Sequence, residues 1–558
     1  MYLPVPHAHG PERDILNAWR AGRLELPRCE SCSQVHWPPQ RRCPACAEMC
    51  IGAIAARGDA TIESFSRVHH VADAGLSPAL PFTMGLLRLA EGPRLMGWLL
   101  DEPADGWRIG LPVCLRPVTS PDDETLYGMP CFAPLAGTRA GVSAHPHESS
   151  QHPAQARPAG RVAASIATAG ERHRLRGAAV IRGVGDSEIG RLPERDGLDL
   201  CVEAAWRALD DAALAPGEID ALFTAYSTTS PVFVFYGALA EALGIRPAIG
   251  LTGNAGGGTA GNLLARAVAA VATGQARHVL VVAGENRLSG MGSQRATQTL
   301  AAFCHPLWES PYGLTVPAMY ALVAQRYLHR HGLDRRALAP VAVRTRANAA
   351  LHGGAHKRTP LSIEQVLESR PIAEPLHMLD CCLVSDAAGA FVVSAADHAD
   401  DRSVWIAGVG EQFTHEHLVA APDDLLDHGA RASAARAFAM AGRRPAEVGV
   451  ASLYDCFTVT PILLAEALGL AEDGRGHRLW RDDAGGPDSP LAINTHGGML
   501  SHAHAGAAGG LLAINECVRQ LRGDLGPRQA RRHDVGLAHV EGGVLSNHTT
   551  VVLTADRP

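Results

Sequence analysis

The sequence predicts an α/β fold built as a duplicated unit, preceded by a small metal-binding knuckle and a short-stranded β-barrel. Three observations carry this. Cys29-Glu30-Ser31-Cys32 and Cys43-Pro44-Ala45-Cys46 form a C-x2-C-x10-C-x2-C pattern. The runs that follow, up to about residue 100, are short, β-like and bounded by turn residues. From Gly177 onward strands alternate with helices, and the pattern repeats once at an offset of 225 residues.

At 558 residues the chain exceeds what one hydrophobic core serves, so several domains are expected. Charged residues make up 19% and hydrophobic ones 46%, the balance of a soluble globular protein. The net charge of −7 is spread over the chain without a basic run, which argues against nucleic-acid and membrane-surface partners. No apolar stretch reaches the roughly twenty residues of a membrane helix, and Met1 to Asp14 lack a signal-peptide core. A cytoplasmic location is therefore expected. Thirteen cysteines are too dilute for a disulfide scaffold, so thiols and metal ligands are expected.

Each Cys-x2-Cys turn aims two thiolates at one ion, and two such turns close a tetrahedral shell. Cys29, Cys32, Cys43 and Cys46 thus read as a structural zinc site with no open position, at the end of a first unit covering residues 1–50. Cys50 lies just outside it. Ala60–Phe65, Phe82–Leu87 and Arg94–Leu100 read as strands of a small barrel over residues 51–136. Residues 137–174, rich in Ala, Gly, Ser, Pro and His, read as a flexible linker in which His145, His147 and His152 are solvated spacer.

The α/β region divides into 175–395 and 396–558. In the first half Ala178–Gly185 reads as a strand and Leu198–Leu209 as a helix. A strand near Ile219–Ala225 and a helix ending at Ile245 follow. The turn Gly253–Gly258 opens an apolar helix, and His278–Glu285 is a buried strand. Gly183-Val184-Gly185 recurs as Gly408-Val409-Gly410, and Leu239–Gly244 recurs as Leu464–Gly469, both 225 residues on. Gly261–Leu264 recurs at Gly509–Leu512, 248 residues on, which places a 23-residue insertion between, with Ala471–Pro490 as the candidate.

Leu453-Tyr454-Asp455-Cys456-Phe457, Asn494-Thr495-His496-Gly497-Gly498 and Ser501-His502-Ala503-His504 gather a phenol, a carboxylate, a thiol and three imidazoles within about fifty residues, a density suited to proton transfer. Asp455 is expected to orient or cap rather than react. Cys381 and Cys382 are expected in the core, and Tyr320 and Tyr327, seven apart, on one packed helix face.

Residues 10–136 resemble the rubredoxin-like zinc ribbon plus OB-fold family that accompanies thiolase-like proteins as a subunit or a fusion. Glu309–Leu314, Cys381–Ala388, Tyr454–Phe457 and Asn494–Gly498 give residues 175–555 a resemblance to the sterol-carrier-protein (lipid-transfer) branch of the thiolase superfamily. The resemblance implies a duplicated thiolase fold, a CoA thioester as substrate and a homodimer formed through the thiolase-like domain.

Against that family the chain departs at the sulfurs. The nucleophilic cysteine falls 17 residues before Gly274, and position 257 is glycine. The second family cysteine is missing near Val540-Glu541-Gly542-Gly543. The branch's usual His before Asp-Cys-Phe is Tyr454, while the His of its Gly-His-Pro motif aligns with His504. Without a nucleophile the site cannot hold an acyl group covalently, yet donors can still polarise a thioester carbonyl and protons can still move. The resemblance to bacterial steroid side-chain aldolases, in which tyrosines occupy both the Tyr454 and His504 positions, implies retro-aldol cleavage of a β-hydroxyacyl-CoA. Tyr454 and His504 are the expected acid/base groups and His496 an oxyanion donor, with Cys456 the alternative nucleophile and His502 a further imidazole of the loop. Acyl transfer and non-catalytic acyl-CoA binding are the alternative readings.

Overall fold

The computed structural model describes residues 11–49, 51–116, 130–135, 175–230, 232–291, 295, 299, 303–482 and 484–558. The expected linker at 137–174, with its three histidines, and Cys50 lie outside the described residues.

At the N-terminus helix α1 (Pro11–Arg20) and a two-stranded ribbon of β1 (Glu25–Cys29) and β2 (Ile51–Ala55) flank the knuckles. The barrel is β3 (Asp59–Val68), β4 (Phe82–Leu89), β5 (Arg94–Leu99), β6 (Pro112–Arg116) and β7 (Cys131–Pro134), ordered 3-4-5-7-6 and closed by a β3–β6 pairing. Alternate residues of β3 point inward, as a half-buried strand requires. Leu26, Ile62, Leu87, Leu89, Leu95, Val113 and Phe132 fill the interior together with Ile15, Leu16 and Trp19 of α1.

Ten strands form the second region's sheet. In the first half these are β8 (Ala179–Asp186), β9 (Ala221–Ala225), β10 (Ile249–Gly253), β11 (His278–Asn286) and β14 (Asp386–Ala395). In the second they are β15 (Val404–Phe413), β16 (Val450–Leu453), β17 (Ala492–Ile493), β18 (Val535–Gly542) and β19 (Asn547–Thr554). The order is 10-9-11-14-8-15-19-18-16-17, so the second half is the mirror sequence of the first, joined where β8 pairs with β15. The duplication read from the sequence is therefore a duplication of topology.

The repeated Gly-x-Gly has a packing reason. Helices α2 (Gly197–Asp211) and α7 (Ala430–Ala441) lie directly on β8 and β15. A Cβ on Gly183 or Gly185 would stand 2.2 Å from the carbonyl oxygens of Ala208 or Ala204. On Gly408 or Gly410 it would stand 2.1 or 2.0 Å from those of Ala437 or Ser433. Any side chain there would lift the helix off its strand. Helix α3 (Phe235–Leu243) corresponds to α8 (Val459–Ala467), and α4 (Thr259–Ala272) to α9 (Ala508–Arg522). The connection from α8 to β17 is much longer than the one from α3 to β10, which puts the extra chain where Ala471–Pro490 was expected. Buried Trp480 anchors it.

Between the halves, α5 (Val316–His331) and α6 (Ala339–Ala350) lead to a hairpin of β12 (Pro371–Ala373) and β13 (Leu376–His377). The hairpin extends the barrel sheet, since Ala373 of β12 pairs with Val68 of β3. The barrel thus docks on its own chain. Ser64 donates to the Leu322 carbonyl (2.6 Å) and the Trp98 indole to that of Tyr312 (3.2 Å). Buried Arg94 donates to Ala421 and Pro422 carbonyls (2.8 and 3.1 Å) while pairing with Glu63 (2.6 Å). Met84, Leu86 and Trp98 of the barrel share a core with Met319, Leu322 and Tyr327 of α5.

Candidate active site

The four knuckle sulfurs lie within 4.8 Å of one another, with Cys29–Cys46 at 3.5 Å and Cys32–Cys43 at 3.6 Å. Tetrahedral zinc with bonds of about 2.3 Å needs sulfurs ~3.8 Å apart, so this donor set fits the ion with slight expansion. A closed four-thiolate shell leaves no coordination position for substrate, and the metal's part is to hold the ribbon. Trp37, in the loop between the knuckles, packs on Trp19 of α1 and on Trp308 of the α/β region, with ring centroids 5.4 and 4.6 Å away.

In the α/β region the site forms where β16 ends. The strand's last residue is clamped by Asn494, whose side chain accepts from the Leu453 N–H and donates to the Leu453 carbonyl, both at 2.8 Å. The next residue, Tyr454, donates its backbone N–H to His539 of β18 (3.0 Å) and projects its ring toward the turn that opens α4. A Cβ built on Gly257 in that turn would lie 1.9 Å from the Tyr454 hydroxyl oxygen. The phenol therefore occupies the place a side chain at position 257 would take.

His504 stands behind the phenol. Its Nε2 is 3.3 Å from the Tyr454 hydroxyl, and its Nδ1 is 3.2 Å from the Cys382 sulfur. Both residues were expected at a proton-transfer site, and the structure brings them together. Burial pushes the His504 imidazole down to about 4, helped by the nearby Arg287 guanidinium, so the ring is neutral at physiological pH. Burial likewise raises the Tyr454 phenol well above its ordinary value, with Cys456 and Glu541 adding to the effect. A neutral phenol faces a neutral imidazole.

Three residues that the sequence reading did not assign to the site line the same place. Cys382, expected in the core, is half-buried and faces His504. Glu541, near the end of β18 where the second family cysteine was sought, is buried and accepts from Tyr320 O–H (2.6 Å), Cys456 (3.4 Å) and the Leu545 N–H (3.2 Å). Burial raises its carboxyl to about 7 against the pull of those bonds. Tyr320 lies on one buried helix face with Tyr327, as the spacing indicated, yet its hydroxyl serves Glu541. None of these had a local signal: Cys382 is 122 residues from His504, and a buried carboxylate looks like any other in a sequence.

The remaining candidates lie around this core. Asp455 accepts the Met499 N–H (2.7 Å) and so holds the turn at Gly498–His502; burial raises it to about 7. Gly498, at φ +57°, is the residue that tolerates this, since a Cβ there would lie 2.0 Å from an Asp455 carboxylate oxygen. Cys456 is buried beside Glu541 and Thr460, and burial keeps its thiol protonated. His496 is not brought to the Tyr454–His504 pair. Its ring meets His502 edge-on at 5.0 Å, and His502 in turn meets His352 at 4.7 Å. Burial, then Arg528, push His496 down to about 3.

A duplicated α/β sheet with a tyrosine–histidine pair beside the turn that opens α4, and glycine at position 257, defines a thiolase-like protein. Comparison with known proteins agrees. Residues 410–555 match a thiolase C-terminal domain-like model, residues 53–116 the ChsH2 C-terminal OB-fold domain, and residues 16–48 the ChsH2 rubredoxin-like zinc ribbon domain. The chain is 30% identical over 376 residues to an acetyl-CoA acetyltransferase of Methanothermobacter thermautotrophicus, covering 66% of this chain and 97% of the relative. It is 35% identical over 366 residues to the 17-hydroxy-3-oxo-4-pregnene-20-carboxyl-CoA lyase of Mycobacterium tuberculosis, covering 62% and 92%. Among solved structures an Ltp2-ChsH2(DUF35) aldolase matches at 31% identity and a TM-score of 0.61 over 69% of this chain and 99% of the other. The chain belongs to the thiolase superfamily, and carries a ChsH2-type zinc ribbon and OB-fold on the same polypeptide.

Proposed function

We propose that this chain is a carbon–carbon lyase that cleaves the Cα–Cβ bond of a β-hydroxyacyl-CoA by a retro-aldol reaction, on a steroid or comparable side chain. One observation carries this: the Tyr454 hydroxyl fills the position of the missing nucleophile, with the neutral imidazole of His504 behind it. A thioester carbonyl that would meet a thiolate in a thiolase meets a proton-transfer group here. The relatives named as a lyase and an aldolase support the reading. The β-hydroxyl gives up its proton, its oxygen–hydrogen pair becomes the new C=O, and the Cα–Cβ pair passes to a thioester enolate. Return of the proton to Cα yields a ketone or aldehyde and a shortened acyl-CoA.

Tyr454 and His504 move the proton in this reading. His496 acts on the site only through the shape of the Asn494–Gly498 loop. Acyl transfer is the second reading, favoured by the acetyltransferase relative and by the thiol of Cys382 beside His504. The test is mass spectrometry of a panel of β-hydroxyacyl-CoAs, steroid side chains included: paired carbonyl and shortened acyl-CoA products support cleavage, whereas transfer of the acyl group to an acceptor supports the second reading.

The domain division at 1–50, 51–136, 137–174, 175–395 and 396–558 follows the same reading. A homodimer through the exposed edge strand β10 is part of it, because β10 ends the ten-stranded sheet beside exposed Tyr226, Phe233 and Val234. A cytoplasmic location suits a CoA-thioester substrate and cysteines that form no disulfide among the described residues. No helix among them is long and apolar enough to cross a membrane.

A further inference from the structure

We propose that Arg287 is a catalytic residue of the lyase reaction, whose guanidinium binds the thioester oxygen and stabilises the enolate as negative charge gathers there. The inference rests on the lyase reading above and names the group that takes the oxyanion role expected of His496. Arg287 is rigidly mounted. It opens the short helix Arg287–Gly290 after β11, and the next two N–H groups, of Leu288 and Ser289, both donate to one carboxylate oxygen of buried Asp386 (2.7 and 3.0 Å). The residue before Asp386 holds the other side. The Ser385 N–H donates to the His504 carbonyl (3.1 Å), and the Ser385 hydroxyl accepts the His504 N–H (3.4 Å). Two adjacent residues thus fasten the segments of Arg287 and His504 together.

The side chain leans on the turn that follows His504. Its Nε donates to buried Glu285, whose other oxygen takes the Thr228 hydroxyl (2.7 Å) and backbone N–H. A Cβ on Gly506 would stand 2.5 Å from a Glu285 carboxylate oxygen and 3.1 Å from Nη2 of Arg287. A guanidinium carries five N–H groups in a planar fork. Arg287 spends one on Glu285, and its Nη1 and Nη2 meet no acceptor among the described residues. Buried Arg94 and Arg522, by contrast, give all three of their nitrogens to protein acceptors. The charge is felt across the site. It adds to burial in holding the His504 imidazole down, and it opposes burial at the Cys382 thiol and the Tyr454 phenol.

The β-oxygen and the thioester oxygen of a β-hydroxyacyl-CoA are linked through Cβ, Cα and the carbonyl carbon. A group that takes the β-hydroxyl proton therefore needs a donor beside it for the second oxygen. Tyr454 and His504 are the first, and Arg287 is the cation mounted beside them. As the β-hydroxyl proton leaves, the Cα–Cβ pair moves between Cα and the carbonyl carbon, and the thioester π pair moves onto the oxygen facing the Nη–H groups. When a proton returns to Cα, the C=O re-forms and the oxygen is released. Arg287 stays protonated throughout, so no proton or electron is left over. Glu285 holds the fork in place beforehand, so the stabilisation needs no rearrangement as charge appears.

The test follows deuterium uptake at Cα of propionyl-CoA in D2O, which needs the enolate but no C–C cleavage, beside steady-state cleavage of a β-hydroxyacyl-CoA. Wild type, Arg287→Met and Arg287→Lys are compared. Arg287→Met should lower both exchange and kcat by about a hundredfold or more, with KM and propionyl-CoA affinity within about threefold of wild type. Arg287→Lys, which keeps the charge beside Glu285 but not the fork, should fall between the two. A methionine variant that exchanges and cleaves like the wild type overturns the proposal. So does one whose loss lies in KM with kcat unchanged, since Arg287 then anchors another part of the substrate. If the methionine variant does not fold, the lysine variant decides: wild-type exchange and kcat overturn the proposal, and a loss in both with binding kept supports it. A wild type that exchanges without cleaving overturns the lyase reading alone, and exchange by the Arg287 variants still decides this proposal. A wild type that does neither overturns both.

Discussion

A Cβ on Gly257 and the hydroxyl of Tyr454 would need the same space, 1.9 Å apart, and Gly257 leaves it to the phenol. The missing thiol and the tyrosine are thus one change: a side chain at 257 and a phenol at 454 exclude each other. Gly257→Ala is expected to push the phenol off His504 and to cost about as much kcat as Tyr454→Phe, about a hundredfold or more for loss of a general acid–base group. Because both act on one contact, the double variant should be little worse than either alone. Steady-state kinetics of the three variants check this.

Gly257→Cys should not restore thiolase chemistry. The new sulfur must displace Tyr454, and a Cβ there also meets the Glu541 carbonyl at 2.6 Å. Incubation with an acyl-CoA followed by intact-protein mass spectrometry should show no stable adduct at position 257, together with lost cleavage.

Acid should unfold the protein steeply. Burial lowers His496 to about 3 and His305, His352, His415, His504 and His548 to about 4. A depressed imidazole is neutral when folded and charged when unfolded between its two pKa values, so its contribution is complete above about 6.5 and is lost as pH falls toward 4. Asp455 and Glu541, raised to about 7, keep protons when folded and act in the opposite sense below 7. The lowered imidazoles, with His428, His502 and His539 pushed down by burial as well, outnumber the raised carboxyls, so unfolding near pH 5 takes up protons. Urea unfolding at pH 5.0 and 6.5 should give a markedly lower midpoint at the acid value, and equal midpoints would contradict it.

Zinc removal should be felt in the α/β region. Trp37 sits between the knuckles and packs at a tilt against Trp308, which comes from the other side of the domain seam. Chelation or Cys43→Ser is expected to change tryptophan fluorescence and to loosen the ribbon while leaving the ten-stranded sheet folded, followed by near- and far-ultraviolet circular dichroism.

At the seam, Arg94→Met removes donors to the Ala421, Pro422 and Asp423 carbonyls and one of the two arginines paired with Glu63. Leaving the buried Ala421 carbonyl without its donor costs about 1–3 kcal/mol. Thermal unfolding should show the barrel's transition moved down, with the zinc stoichiometry unchanged.

Much of this molecule was legible in its sequence, for physical reasons. The knuckle spacing names its own metal. The Gly-x-Gly pair repeats because each copy lets a helix rest on a strand, and that constraint leaves a mark at a fixed offset. Tyr454 and His504 stood out because they lie in dense polar motifs at the ends of buried elements. Cys382, Glu541 and Tyr320 did not, since their place in the site comes from chain segments meeting far from each other in sequence. His496 shows the limit from the other side. It sits in the right motif, but the left-handed Asn494, at φ +47°, and the Gly497-Gly498 turn carry its ring toward His502 rather than Tyr454.

The claim that proton transfer has replaced acyl capture is tested most directly by cleavage in D2O. The wild type should convert a β-hydroxyacyl-CoA to a carbonyl product and a shortened acyl-CoA bearing one deuterium at Cα, with no mass added to the protein, and Tyr454→Phe should bind the substrate without cleaving it. An acyl-protein adduct during turnover, or normal cleavage by Tyr454→Phe, would contradict the account.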